Sequence, residues 1–249
     1  MSIEKWTTFW RNHEGAGYHA VDRDIVRSLA ASAATLCRLP GEAYCFPSRW
    51  KRSRQASSDA HSRCDLKNAK IIFAVLNPTV GYNDYVDNEK PEFHDLLKRN
   101  RLQENVNGCF AVDNNSPAPS WSGYYRSIFR SAVECATDVS KAPEAEVWET
   151  LRRILAIMEL VPYYSQNASM LLQNDRYASL PSVKCAQEAM GEVRGRCDTI
   201  VICRWERGHE RWLMPAGTYI SSATRRGLSP AAKWEICKQL VKHLCSRAV

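Results

Sequence analysis

KIIFAVLNPTVG, residues 70–81, decides the reading of the fold. Its six consecutive apolar residues, Ile71 to Leu76, are rich in β-branched and aromatic side chains and predict a strand buried on both faces. The run stops at Asn77-Pro78, because Pro78 lacks a backbone N–H and pushes Asn77 out of the helical region. Asn77 is thereby expected at the carboxyl end of a central strand, with Gly81 letting the chain turn back. In open α/β sheets that edge is where ligands bind. A strand followed by an ordinary turn is the plainer alternative for this motif alone.

Outward from that run, strand and helix patterns alternate. On the amino-terminal side, VDRDIVRSLAASAATLCRL places Ile25, Leu29, Ala33 and Leu36 on one helical face, with Asp22 and Asp24 in its first turn. SRWKRSRQASSDAHSRCDLK, residues 48–67, is polar, basic and Ser-rich and reads as a loop. On the carboxyl side, a helix is expected from Pro91, with Phe93, Leu96 and Leu97 inward. GCFAVD (108–113) reads as a strand ending at Asp113, and NNSPAPSWSG as a loop. YYRSIFRSAVECA reads as a helix burying Tyr125, Ile128, Phe129 and Ala132. EAEVWETLRRILAIM reads as a helix with Val147, Leu151, Ile154 and Met158 in one stripe.

Three further strands are expected: Met158 to Val161, ending at Pro162; Thr199 to Cys203, ending at Arg204; and Gly217 to Ile220, ending at Ser221-Ser222. A helix over 182–193 lies between the first two. After the last, Ser229 caps a helix with Pro230 at N1 and with Trp234, Cys237, Leu240, Val241 and Leu244 inward. The alternation predicts an α/β fold: three layers, α/β/α, around a central, mostly parallel four-stranded sheet. One domain over 1–249 is expected, with a helical extension at 1–46, a basic loop at 47–69 and the α/β core at 70–249.

The chain of 249 residues has no apolar run of spanning length and no export-type leader, so a cytoplasmic protein, off the membrane, is expected. Its ten cysteines are scattered, which points to reduced, mostly buried thiols. Cys37, Cys45, Cys64 and Cys109 lack the CxxC pair that would mark a metal cluster. The net charge of +7 is unevenly spread: residues 1–70 carry 12 basic and 7 acidic side chains, 71–150 carry 7 and 12, and 151–249 carry 15 and 8. Basic flanks suit a polyanion such as nucleic acid. Trp50 among Arg49, Lys51, Arg52 and Arg54 suits base stacking beside phosphate contacts; a solvated linker is the alternative.

Under this architecture several polar strand ends meet at one edge: Asn77; Tyr163, Tyr164 and Ser165; Arg204 and Trp205; Ser221 and Ser222. They hold no Cys/His nucleophile pair, no paired-His metal site and no P-loop. An amide, hydroxyls, aromatics and arginines can hold a planar ring, orient water and grip phosphates. Hydrolysis of an N-glycosidic bond needs little more, because the sugar departs as an oxocarbenium-like species.

LNP, PEF, SGYYRSIFR, ELVPYYS, SLPS, IVICR and GLSP, in that order from about Ile71 to Leu244, resemble the uracil-DNA glycosylase superfamily. They are most similar to prokaryotic anti-phage glycosylases that act on glucosylated hydroxymethylcytosine. The resemblance implies that Asn77 positions the hydrolytic water and that Ser221 stands where a charge-stabilising histidine or asparagine is found. It implies a base pocket at Pro78, Tyr82, Tyr163 and Tyr164, with Asp84 and Asp113 available to a hydroxylated sugar. Ser222, Thr224, Arg225 and Arg226 would enter the DNA groove, with Arg204, Arg207, Trp50 and Arg52 as further DNA contacts. Thr79 replaces the glycine expected after Asn-Pro and Ser221 replaces histidine, which points away from plain uracil.

The expectation is a monofunctional, monomeric DNA glycosylase on double-stranded DNA with modified bases. It would flip the base out and hydrolyse its bond without metal or cofactor, in anti-phage defence. A non-catalytic DNA-sensing module on the same fold stands as the alternative. So do a glycosylase acting on uracil, mismatched or other damaged bases, and an enzyme of free nucleosides.

Overall fold

The Ile71–Val75 run forms β1, and its position explains its composition. It is the second strand of a four-stranded sheet ordered β2-β1-β3-β4, in which every pairing is parallel. All five β1 residues are buried, flanked by a strand on each side and by helices on both faces. The computed structural model describes residues 2–11, 19–25, 66–76, 92, 96, 99, 103, 108–161, 178–204, 208–221 and 227–246.

In chain order the elements are α1 (Ser2–Arg11), β1, α2 (Pro119–Ser140), α3 (Glu144–Ile154), β2 (Leu155–Glu159), α4 (Pro181–Arg194), β3 (Ile200–Cys203), the single turn α5 (Gly208–Arg211), β4 (Ile220–Ser221) and α6 (Pro230–Cys245). Ile71 pairs with Leu155 on one side and Ile200 on the other, and Ile202 pairs with Ile220. The step from β1 to β2 runs one way along the sheet and the step from β2 to β3 runs back past β1. Crossovers of one hand then place their helices on opposite faces. The contacts agree. On one face Phe73 packs edge-to-face on Tyr125 and Phe129 of α2, and α2 packs on α6. On the other, α4 carries α1, through the Ile3 N–H to Glu192 and Lys5 to Glu188. Gln187 of α4 also donates to the Arg211 carbonyl of α5. The three-layer α/β/α expectation is met.

Several boundaries differ from the sequence reading. Residues 110–112 form one 3-10 turn instead of a strand, and α2 begins at Pro119, inside the stretch expected to be loop. The helix expected to reach Met158 stops at Ile154. Leu155–Glu159 is strand, with no loop between, and Leu160 and Val161 continue the ladder to β1. Gly217 has φ +80°, so β4 starts only at Ile220. In α6, Ser229 caps as expected, its Oγ accepting from Ala232 N at 3.2 Å, but Trp234 is 53% exposed and Ile236 takes an inward place.

The helix expected from Val21 starts at Arg23; Leu29, Ala33 and Leu36 lie outside the described residues. Asp22 is fully buried and serves a different helix: its Oδ1 accepts the Ser182 N–H in the first turn of α4 at 3.2 Å. Cys135, Cys185, Cys197, Cys203, Cys237 and Cys245 are free thiols, but the buried Cys109 is disulfide-bonded, against the expectation for all ten. Its partner lies outside the described residues. Among the described residues no helix is long and apolar enough to cross a membrane.

Candidate functional site

A strand order of β2-β1-β3-β4 has its switch point between β1 and β3, where the connections leave toward opposite faces; in open α/β sheets the carboxyl end of such a point is where ligands bind. Asn77 follows β1 at that edge in sequence, and Arg204 follows β3. The Arg204 N–H donates to the Ala74 carbonyl at 3.0 Å, extending the ladder to the rim. Its guanidinium lies over the ring of Tyr124, 5.2 Å from the centroid. Tyr124 is 44% exposed near the start of α2 and meets Tyr125 edge-to-face, and Tyr125 in turn meets Phe73. A continuous aromatic path therefore runs from the middle of β1 to a cation at the sheet edge.

Below that rim sits a residue that the sequence reading passed over. Glu159 ends β2, in register with Val75, and is 0% exposed. Side chains alternate along a strand and share a side with their register partners. Glu159 therefore stands on the face of Ile157, Val75 and Phe73, the face that Arg204 shares with Ile202. A carboxylate with no solvent exposure is costly unless it is hydrogen-bonded or paired. Its signal in the sequence is one acid in the apolar run LAIMELV, just ahead of the Pro162 turn.

Ser221 pairs with Cys203, so its side chain lies on the opposite side of the sheet from Ile202 and Ile220. Its carbonyl accepts from Ser229 Oγ at 2.8 Å, while its own Oγ is buried without a hydrogen-bond partner. The structure thus does not bring the Ser221 hydroxyl to the face that holds Glu159 and Arg204.

Asp113 is placed elsewhere again. It lines a cavity of about 400 Å³ with Arg126, Glu144, Trp148, Glu149 and Arg152, beside the segment that enters β2. The Asp113 carboxylate is 4.0 Å from Arg152 and accepts from Asn115 N at 2.9 Å. Arg152 is held by both Glu149 oxygens, at 2.7 and 2.8 Å, and these bonds push its pKa above the ordinary value. Arg126 stacks on Trp148 at 3.9 Å and donates to the Val112 carbonyl, and burial pulls its pKa down. Trp148 Nε1 donates to Glu144. These groups answer one another and pin the 3-10 turn to α3. The pin is tightest at Gly108 (φ +87°), where a Cβ would lie 2.6 Å from the Arg152 carbonyl oxygen.

The remaining site residues from the sequence lie outside the described residues: Asn77, Pro78, Tyr82, Asp84, Tyr163, Tyr164, Ser222, Thr224, Arg225, Arg226, Arg207, Trp50 and Arg52. Among the described residues no group of three His, Cys, Asp or Glu side chains is arranged to hold a metal. No family model, curated protein or solved structure matches the chain.

Proposed function

We propose that the protein is a monofunctional DNA glycosylase that removes a modified base, of the glucosylated hydroxymethylcytosine type, to leave an abasic site in phage DNA. The observation that carries this reading is the composition of one sheet edge. At the carboxyl ends of β1, β2 and β3, a buried carboxylate (Glu159) lies beneath an exposed aromatic–guanidinium pair (Tyr124 and Arg204), on the same face. The N-termini of α2 and α6, with their positive dipole ends, lie toward that edge, which favours phosphate. The net charge of +7 favours the same partner. The motif order running from LNP to GLSP supports the uracil-DNA glycosylase resemblance.

In this reading the base leaves the helix and enters the crevice after β1. Water positioned by Asn77 adds to the sugar C1′ as the glycosidic bond breaks; the bond's electron pair departs with the base, and the proton the water loses passes to the departed base or to solvent. No lysine lies at the four strand ends to form a Schiff base, so strand cleavage is not part of the reaction. The protein is incubated with duplexes bearing glucosylated hydroxymethylcytosine, hydroxymethylcytosine, cytosine or uracil, then treated with alkali. Breaks at the glucosylated base, lost in Asn77→Ala, are expected. Breaks that persist in Asn77→Ala remove the role of Asn77, and none on any duplex removes the glycosylase.

The placement of Ser221 favours a second reading, a DNA-sensing module without turnover. Its hydroxyl faces away from the Glu159 side of the sheet, leaving a departing base less supported. Tight binding to modified duplex without alkali-labile sites would select that reading.

A further inference from the structure

We propose that Cys135 and Cys237 are a site of oxidative modification, forming a reversible disulfide that clamps α2 to α6. The two cysteines stand on helices that pack on each other more extensively than any other two among the described elements. Across that interface the Cys135 thiol hydrogen-bonds the Cys237 thiol, so the two sulfurs already face each other. Both are free thiols, Cys237 buried in the core and Cys135 half-buried at its margin. Fully buried Ala132 and Ala136 stand to either side of Cys135 in the chain, and small side chains let helix backbones come close. A disulfide needs that closeness, with Cα atoms about 5.5–6 Å apart. Both cysteines lie in helix interiors, away from the strand ends assigned to DNA, so the inference stands apart from the glycosylase reading.

The two sulfurs differ in role. Burial, and then the bond from Cys135, pushes the Cys237 thiol up to about 12, so it stays protonated and unreactive on its own. Cys135 is the one that a small oxidant reaches. With a peroxide as oxidant, the Cys135 thiolate attacks one peroxide oxygen, the O–O bond breaks and hydroxide leaves, giving the sulfenic acid. The Cys237 sulfur then bonds to the Cys135 sulfur, the S–O bond breaks, and the Cys237 proton leaves with the hydroxyl as water. Two thiols are oxidised and one hydrogen peroxide is reduced to two waters. Two equivalents of a small thiol restore the pair by exchange, leaving as their own disulfide. The bond closes a loop of about 100 residues, which restricts the unfolded chain.

The test treats the folded protein with hydrogen peroxide, alkylates the remaining thiols, digests with trypsin and reads the peptides by mass spectrometry. SAVECATDVSK (131–141) joined to WEICK (234–238), each with one cysteine, is the expected product. The melting temperature of the treated protein should rise by about 5–10 °C. Cys135→Ser should give neither the joined peptides nor the rise, while Cys245→Ser, at an exposed cysteine, should give both. Because Cys135→Ser keeps the Cys109 disulfide, the difference from the unsubstituted protein reports this bond alone. Separate peptides after peroxide, whether alkylated or with Cys135 carried on to its sulfinic acid, overturn the assignment. So do peptides that join only after urea unfolds the chain, or a joined pair that leaves the melting temperature unchanged.

Discussion

Asp22 lies 160 positions from Ser182 in sequence and accepts its N–H at 3.2 Å with no exposure to solvent. The α4 N-cap, Leu180, has no side-chain acceptor, so the helix borrows its cap from the amino-terminal segment. His19 tightens the same junction: its ring stacks on Phe9 at 3.9 Å and its Nε2 meets the Phe9 carbonyl at 2.9 Å. Asp22→Ala removes the acceptor and leaves a buried donor unmet, and is expected to cost about 2 kcal/mol. Urea denaturation checks this; a loss below about 0.5 kcal/mol would mean that another group takes the N–H over. In the sequence Asp22 was legible as a helix-start acid, because acids favour first turns. Which first turn it serves was not, since that contact is made only by tertiary packing. The burial of Glu159 was not legible for a related reason: no local rule says that the one acid in an apolar run ends with no solvent exposure.

At the scale of elements, β1 was legible almost to the residue, because a strand buried on both faces reads as an unbroken apolar run ended by Asn-Pro. The junction of α3 and β2 was not. Val147, Leu151, Ile154 and Met158 fit a helical stripe, and a short buried strand is equally apolar, so periodicity does not separate the two. The arbiter is β1, which offers Leu155–Glu159 a full parallel ladder. Likewise FAV at 110–112 has strand composition but closes into a 3-10 turn against α3, where the Cys109 N–H meets the Arg152 carbonyl. β1 and α2 meet at Phe73, which is 1% exposed and packs edge-to-face on Tyr125 and Phe129 at 6.4 and 5.2 Å. Phe73→Ala empties the centre of the face between β1 and α2 and is expected to cost about 3–5 kcal/mol. A lower urea midpoint with an unchanged slope is the expected signature; a loss under about 1 kcal/mol would mean that α2 closes over the gap.

Across the whole molecule, the two edges of the sheet differ in kind. The amino edge is braced by ions: Lys70, just before β1, bonds Asp198, just before β3, and His243 near the end of α6 feels both. The bond from Lys70 holds the Asp198 carboxyl below its ordinary range, and burial pulls the His243 pKa below its usual 6.5. Both groups bind protons more readily when unfolded, so both contributions are complete above the unfolded values and fade as pH falls through the folded ones. Stability should therefore decline in two stages on acidification, first below about pH 6.5 and again through the carboxylate range. Asp198→Asn should flatten the second stage and, by removing a charge that raises the His243 pKa, deepen the first. The carboxyl edge carries the Arg204–Tyr124 pair, which the proposed function assigns to the duplex. Arg204→Glu is expected to weaken duplex affinity and lower the slope of log affinity against log salt by about one contact's worth, with the melting temperature nearly unchanged. Asp198→Asn is expected to leave affinity and salt slope alone. Equal effects of the two substitutions on DNA binding would show that the basic surface acts as a diffuse field, and that the crevice after β1 and β3 is not where the duplex is held.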